Sequence, residues 1–313
     1  MTAMKTLLRT LAGLTAAGAA TVAYASVVER NAFVLRRVTA PVLPRGQAPL
    51  RVLHLSDMHL VPGQERKVEW VRSLAALEPD LVVNTGDNLA HLQAVPVAMR
   101  ALEPLLELPG AFVMGSNDYL APHAKNPFTY FTSDHARVKG ERRTLPTGDL
   151  IAGFETAGWV NLNNHRSTLE VDGRALELIG VDDPHIRRDR YEEVAGPADP
   201  DADLTVGIAH APYLRTLDAF AHDGARLIIA GHTHGGQVCV PFYGALVTNC
   251  DLGTERVKGL SRWWEGCDNA PSDQAPTDAA WLNVSAGLGT SPFAPVRLAC
   301  RPEATLLTLR ARS

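Results

Sequence analysis

Cysteine is scarce and badly placed for metal or redox motifs. Only Cys239, Cys250, Cys267 and Cys300 occur, all in the last third, and no two stand as C-x-x-C, which removes zinc-ribbon and thioredoxin-type readings. The even count allows two disulfides in an oxidising compartment or four thiols in a reducing one, and the spacing does not choose a pairing. No long basic run is present, and 30 Lys and Arg stand against 34 Asp and Glu for a formal charge of −4. A nucleic acid gripped through its phosphate backbone is therefore not an expected partner. No internal repeat is present either. What remains is 46% hydrophobic and 20% charged over 313 residues, enough for a sizeable globular core.

Charge is also missing from Thr10 to Val28, with Lys5 and Arg9 before the run and Glu29 and Arg30 after it. The run is long enough to span a bilayer, although Ala, Gly and Thr dominate it. Three readings apply: an uncleaved anchor, a signal peptide cut after Ala23-Tyr24-Ala25, or an Ala-rich soluble helix. We adopt the anchor. Arg36, Arg37 and Arg45 follow it, so positive charge does not by itself orient it; the expected topology is a catalytic domain outside the cytoplasm. With the Pro-rich stretch Pro41 to Pro49 as linker, residues 1–49 read as anchor plus linker and 50–313 as the catalytic domain.

Chemistry concentrates where apolar runs stop. Leu227 to Ala230 reads as a short buried strand ended by Gly231, and His232 and His234 follow within LIIAGHTHGGQ. If that backbone stays extended, two imidazoles one residue apart face one point. The same pattern recurs upstream. Arg51 to Leu55 runs into Asp57 and His59, a helix is expected over Glu65 to Leu77, and Leu81 to Val83 ends at Asp87. A helix from Val97 to Leu106, interrupted at Pro104, leads to a strand Ala111 to Met114 and the stretch Gly115-Ser116-Asn117-Asp118. Ser167–Val171 and Ala175–Val181 read as a hairpin, Leu204–Ala209 as a strand ending in His210, and Trp281–Ser285 and Ala304–Leu309 as two more strands. Successive β-α units with polar strand tips predict a convergent site at one edge of an α/β fold. Asp118 and Asp149 read as cap or turn formers. The cationic stretch around Asn126 to Trp159, with Lys125, Tyr130, His135, Arg137, Lys139, Arg142 and Arg143, reads as solvated surface or a lid. His54, His91, His123, His135, His165 and His222 read as packing or surface residues.

Asp57, His59, Asp87, Asn117, His210, His232 and His234 make a mixed oxygen and nitrogen donor set. Two carboxylates and four imidazoles exceed the needs of one four-coordinate zinc, and a bridging Asp points to two ions, the arrangement used on phosphate esters. Imidazole-rich donors suit Mn, Fe or Zn better than Mg or Ca.

The order of these groups resembles the calcineurin-like metallophosphoesterase superfamily: D-x-H at Asp57 and His59, G-D at Gly86 and Asp87, a G-N-H-D equivalent at Gly115 to Asp118, a lone His210, and G-H-x-H at Gly231 to His234. The resemblance covers roughly Leu50 to Leu309. The extended GHTHGGQ resembles the membrane-anchored bacterial branch, whose members include phosphodiesterases and UDP-2,3-diacylglucosamine hydrolases. It implies a four-layer α/β/β/α sandwich. It also implies that Asp57, His59, Asp87 and His234 hold one metal ion, that Asp87, Asn117, His210 and His232 hold a second, and that a water between them attacks a phosphate ester.

One motif departs from the family. Its usual Asn ligand and His acid are replaced by Ser116 and Asn117 in a gapless alignment; we assign the ligand role to Asn117, since a carboxamide oxygen is the better neutral ligand for a hard cation. The missing acid favours a phosphodiester or pyrophosphate-type substrate, nucleotide-linked or lipid-linked, over a simple monoester. His185, after Asp182-Asp183-Pro184, is the candidate replacement acid, and Arg297 reads as a phosphate contact or a solvated side chain. A metal-binding envelope sensor or scaffold is the alternative. A metallo-β-lactamase-like hydrolase is set aside because no H-x-H-x-D-H occurs.

Overall fold

The computed structural model of the chain describes residues 2–123, 142–268 and 270–312. The cationic stretch read as a lid falls mostly on 124–141, outside the described residues; Arg142 and Arg143 are described. At the N-terminus α1 (Thr2–Ala23) continues through tighter and wider turns, so that Met4–Asn31 forms one helical rod long and apolar enough to cross a membrane.

Two residues later the first sheet begins. Its strands are β1 (Val34–Leu43), β2 (Leu50–Leu55), β3 (Leu81–Asn84), β4 (Gly110–Phe112) and β5 (Val160–Asn161). The second sheet follows with β6 (His165–Val171), β7 (Arg174–Gly180), β8 (Leu204–Ala209) and β9 (Leu227–Ala230). A small hairpin of β10 (Cys239–Val240) and β11 (Gly244–Ala245) intervenes, then come β12 (Gly259–Trp263), β13 (Ala280–Val284) and β14 (Glu303–Ala311). The orders are β1-β14-β2-β3-β4-β5 and β12-β13-β9-β8-β7-β6. β2, β3, β4 and β5 run parallel, as do β7, β8, β9 and β13. The tips of the two parallel sets supply the site.

The sheets face each other across Val52, Val83, Val113, Val206, Ile229 and Leu307. The outer face of the first sheet is covered by α2 (Glu65–Ser73), α3 (Val95–Leu102) and, beyond the short α4 (Ser116–Tyr119), α5 (Thr147–Thr156); Val68, Ala98 and Phe154 pack with Leu53 and Phe112. The outer face of the second is covered by α6 (Leu214–His222) through Leu217 and Phe220. Helix, sheet, sheet, helix are the four layers expected. The inner strands are apolar on both faces because both faces are buried.

Two helix boundaries have local causes: the first ends at Leu77, where the sequence reading puts it, and the second starts earlier than expected. α2 tightens into a 3-10 turn at Leu74–Leu77 and stops at Glu78, whose φ is 46°, because the residue before Pro79 is disfavoured in the helical region. α3 starts earlier than expected, taking Pro96 into its first turn, where a missing N–H costs nothing; Pro104 ends it.

The larger correction concerns residues 34–43. The sequence reading begins the catalytic domain at Leu50, yet β1 lies parallel to β14 from Val34↔Glu303 to Leu43↔Ala311. The sheet thus starts directly after the apolar helix. Pro41 is tolerated because β1 is an edge strand.

Candidate metal centre

Each donor sits just past a strand end, on backbone that only a tightly held loop keeps in place. Asp57, His59, Asp87, His232 and His234 have φ values of 50°, 43°, 54°, 69° and 50°. Left-handed backbone costs a non-glycine residue about 1–2 kcal/mol, so these loops are strained where the chemistry is. Cross-links hold them: the N–H of Asp57 donates to Gly86 O at 2.8 Å, that of His59 to Asp87 O at 2.9 Å, and that of Gly231 to His210 O at 2.9 Å. The extended backbone expected through His232 and His234 is absent. The two rings diverge and join different partners.

His234 turns to His59, Nε2 to Nε2 at 3.2 Å. His232 turns to His210, Nδ1 to Nε2 at 3.3 Å. Asp87 lies between the pairs, its Oδ2 at 3.5 Å from Nε2 of His59 and 3.5 Å from Nε2 of His210. Asp57 Oδ1 is 3.6 Å from His234 Nε2 and is buried with no hydrogen-bond partner. Asp57, His59, Asp87 and His234 each place one donor atom within 4.8 Å of the others.

This arrangement fits a cation better than it fits itself. His210 Nδ1 donates to Thr85 O at 2.7 Å; although burial works against its charge, the Asp87 carboxylate raises this ring well above the usual imidazole range, so Nε2 holds a proton where a cation would find a lone pair. The nearest partner of His232 Nε2 is Asn249 O at 3.1 Å, an acceptor, so the proton sits there and the Nδ1 lone pair faces His210 Nε2. An orphaned carboxylate oxygen at Asp57 and a buried positive ring held between Asp87 and an imidazole lone pair mark a place where a divalent ion would take the proton's role. Burial drives His59 down to about 4 and holds His232 and His234 well below the usual imidazole range. Although burial works against its charge, the His210 and His59 imidazoles and the Asn117 amide hold Asp87 well below the usual carboxylate range. Three neutral imidazoles and an ionised carboxylate are in the ligand form a metal requires, and His210 would give up its proton on binding one.

Behind Asp57 runs a buried relay. Asn283 Nδ2 donates to His54 Nδ1 at 2.9 Å, and His54 Nε2 then donates to Thr85 Oγ1 at 2.8 Å. Thr85 donates to Ser56 Oγ at 2.7 Å, and Ser56 to Asp57 Oδ2. His54 is thus neither simple packing nor surface. Thr85, Ser56, Asn249 and Asn283 carry no motif signature, and only the fold identifies them.

The remaining candidates fall as follows. Asn117 lies on Asp87, its backbone N–H and its Nδ2 each donating at 2.7 Å to one carboxylate oxygen; its Oδ1 faces Arg142 Nη2 at 3.4 Å. Asp118 is a clamp, accepting from the N–H groups of Asn88, Leu89 and Gly115. His185 packs on His232 at 4.4 Å between centroids and lies 3.1 Å from Tyr213 OH through Nδ1. Arg297 is neither solvated nor open to a ligand: it is fully buried and donates to Ala286 O, Gly287 O and Gly289 O, with Nη2 3.4 Å from His234 Nδ1. A buried guanidinium is tolerated when most of its donors are spent on carbonyls; the Nη atoms are, while Nε has no partner. All four cysteines are free thiols.

Three relatives share most or much of the chain. An uncharacterized protein of Bacillus subtilis, YpbG, is 29% identical over 270 residues, covering 85% of this chain and 83% of its own. Phosphodiesterase YaeI of Escherichia coli is 24% identical over 296 residues, 91% of this chain and 92% of its own. A transmembrane protein with metallophosphoesterase domain from Bos taurus is 28% identical over 221 residues, 64% of this chain and 44% of its own. The calcineurin-like phosphoesterase family model matches residues 50–236, which carry Asp57, His59, Asp87, Asn117, His210, His232 and His234. The chain is a member of the calcineurin-like metallophosphoesterase family, whose proteins use divalent metal ions.

Proposed function

We propose that this protein is a membrane-anchored, dinuclear metal-dependent phosphoesterase acting on a phosphodiester or pyrophosphate-type substrate. The observation that carries the reading is the place of Asp87 Oδ2, 3.5 Å from an imidazole nitrogen of each pair. Asp57, His59, Asp87 and His234 would hold one ion; Asp87, Asn117, His210 and His232 would hold the other. Two ions supply an acidified water and a clamp for the phosphoryl oxygens. Mn, Fe or Zn suits these donors. The membrane-spanning length of the N-terminal helix and the transmembrane name of the Bos taurus relative support the anchor; we place the catalytic domain outside the cytoplasm.

The chain's own groups do the rest. Water attacks phosphorus opposite the leaving oxygen, the phosphorus–oxygen ester bond breaks, and the leaving oxygen takes a proton. No histidine occupies the family's usual acid position, and His185 on the rim beside His232 supplies that proton. Arg142, half-buried and next to Asn117, holds a phosphoryl oxygen. Without the usual acid, good leaving groups are favoured.

The test uses the full chain in detergent, stripped of metal and reloaded with Mn or Zn, on a chromogenic phosphodiester beside the monoester. Metal-dependent diester turnover, lost in Asp87→Asn, is the expected result. Two ions bound without turnover on any phosphate ester would replace the enzyme with a metal-binding sensor or scaffold, the reading that the Ser116-Asn117 departure favours.

A further inference from the structure

The apolar helix does not hang from the domain; the loop 288–300 is tied to its end. Arg297 N–H donates to Ala25 O at 3.1 Å, and Cys300 N–H donates to Glu29 Oε1 at 2.7 Å. Beside this join the helix keeps Tyr24, Val27 and Val28 exposed, and the loop keeps Phe293 exposed. Val238 bridges Leu298 of the same loop, so the hairpin β10–β11 stands next to it. That hairpin grows directly out of the loop that carries His234.

Its tip is apolar and bare. Phe242 is 111% and Tyr243 77% exposed, and Val240 and Leu246 are exposed as well. Phe242 also has a φ of 67°, a strained backbone for an aromatic residue with nothing in the domain to repay it. Isolated exposed apolar residues are ordinary, but exposed aromatics on adjoining segments next to a membrane-length helix mark an interaction surface. Charge agrees. At the same helix end a cavity of about 330 Å³ is lined by Arg30 and Arg66, while its one acid, Glu65, is engaged by Arg100 at 2.8 Å. Lys67, also in the lining, is buried with Nζ on Met58 O at 2.7 Å and is no part of that charge. The rod Met4–Asn31 has 28 residues, roughly 42 Å at 1.5 Å per residue, against a hydrocarbon core of about 30 Å; Arg30 therefore sits at headgroup depth, where lipid phosphates are.

We infer that this face rests on the bilayer crossed by the helix, with Phe242, Tyr243 and Phe293 in the acyl–headgroup boundary and the cationic cavity against lipid phosphates, so that the metal centre takes a phosphate ester presented by a membrane lipid. The surface stands on its own observations; the substrate class rests on the phosphoesterase reading above. Aromatic side chains with one apolar and one polar edge favour this depth.

The experiment uses the full chain in phosphatidylcholine vesicles containing phosphatidylglycerol and an acyl-brominated phosphatidylcholine. The emission added by Phe242→Trp is compared with that added by Asp201→Trp, in the exposed turn before β8, at the far end of that strand from His210. We expect about half or more of the first to be quenched and little of the second; equal quenching overturns the surface. In parallel, Phe242→Ser with Tyr243→Ser is assayed on a soluble chromogenic diester and on a vesicle-borne phospholipid diester. Unchanged soluble turnover with about a tenfold loss on vesicles supports lipid presentation, and equal rates on vesicles overturn it. Absence of soluble turnover in the parent chain counts against the phosphoesterase reading, while the quenching still decides the surface.

Discussion

His59 and His234 face each other Nε2 to Nε2 at 3.2 Å, although 175 residues separate them. Their loops come from different sheets, so the contact is a joint between the two halves of the fold. A ligand that satisfies both nitrogens also clamps the sheets together. Chelation of the bound ions should therefore lower the unfolding temperature of the full chain, and Mn or Zn should restore it. At metal one hundred times above its dissociation constant the gain is about 2.7 kcal/mol per site. Calorimetry with and without chelator checks this, and an unchanged transition counts against metal binding at these donors.

Replacing Ser116→Asn together with Asn117→His rebuilds the family's usual order. Turnover of a diester with an alkyl leaving group should rise by about 10²-fold or more, while a nitrophenyl leaving group should respond little. The ratio of the two rates is the readout. A uniform change in both would place the acid elsewhere.

Gly115 shows how tightly the second pair is packed. A Cβ there would lie 2.3 Å from Asp87 Oδ1 and 2.7 Å from the His210 ring, whereas one at Gly148 would meet nothing within 4 Å. Gly115→Ala should weaken metal affinity by about 10- to 100-fold by displacing Asp87 and His210. Gly148→Ala, in a helix, should leave affinity unchanged and add about 0.5–1 kcal/mol of stability. Competition with a chromogenic chelator measures both.

The relay behind Asp57 has a pH signature. Burial drives His54 down to about 3 from the usual 6.5. Between those values the unfolded chain binds the proton that the folded chain refuses, so stability rises with pH there. The contribution is fully present above about 6.5 and is lost as pH falls through about 3. His54→Gln should flatten this part of the stability profile. It should also destabilise the protein at neutral pH by about 1–3 kcal/mol if Thr85 or Asn283 is left unpaired. Urea unfolding from pH 4 to 7 separates the two effects.

Much of this architecture is readable from local pattern. Apolar runs that stop at Gly, Asp or His locate the tips of β2, β3, β8 and β9, because a buried parallel strand must be apolar throughout and its polar ligands must wait for the loop. What local pattern does not contain is pairing between distant segments. β1 carries Arg36, Arg37 and Pro41 and resembles a linker until β14 pairs with it. His54 looks like any buried strand residue until Asn283 reaches it from β13. The divergence of His232 from His234 follows from left-handed backbone that the loop contacts impose, and alternation along an extended chain does not anticipate it.

Only Ala32 and Phe33 separate the helical rod from β1. So short a joint, locked by Glu29 and Arg297, leaves no swivel between rod and domain. With the rod anchored as proposed above, the domain cannot sweep a hemisphere above the membrane. Its height and tilt follow the rod, and on the lipid-presented substrate inferred above its search reduces to lateral drift in a plane, with encounter rates governed by two-dimensional diffusion.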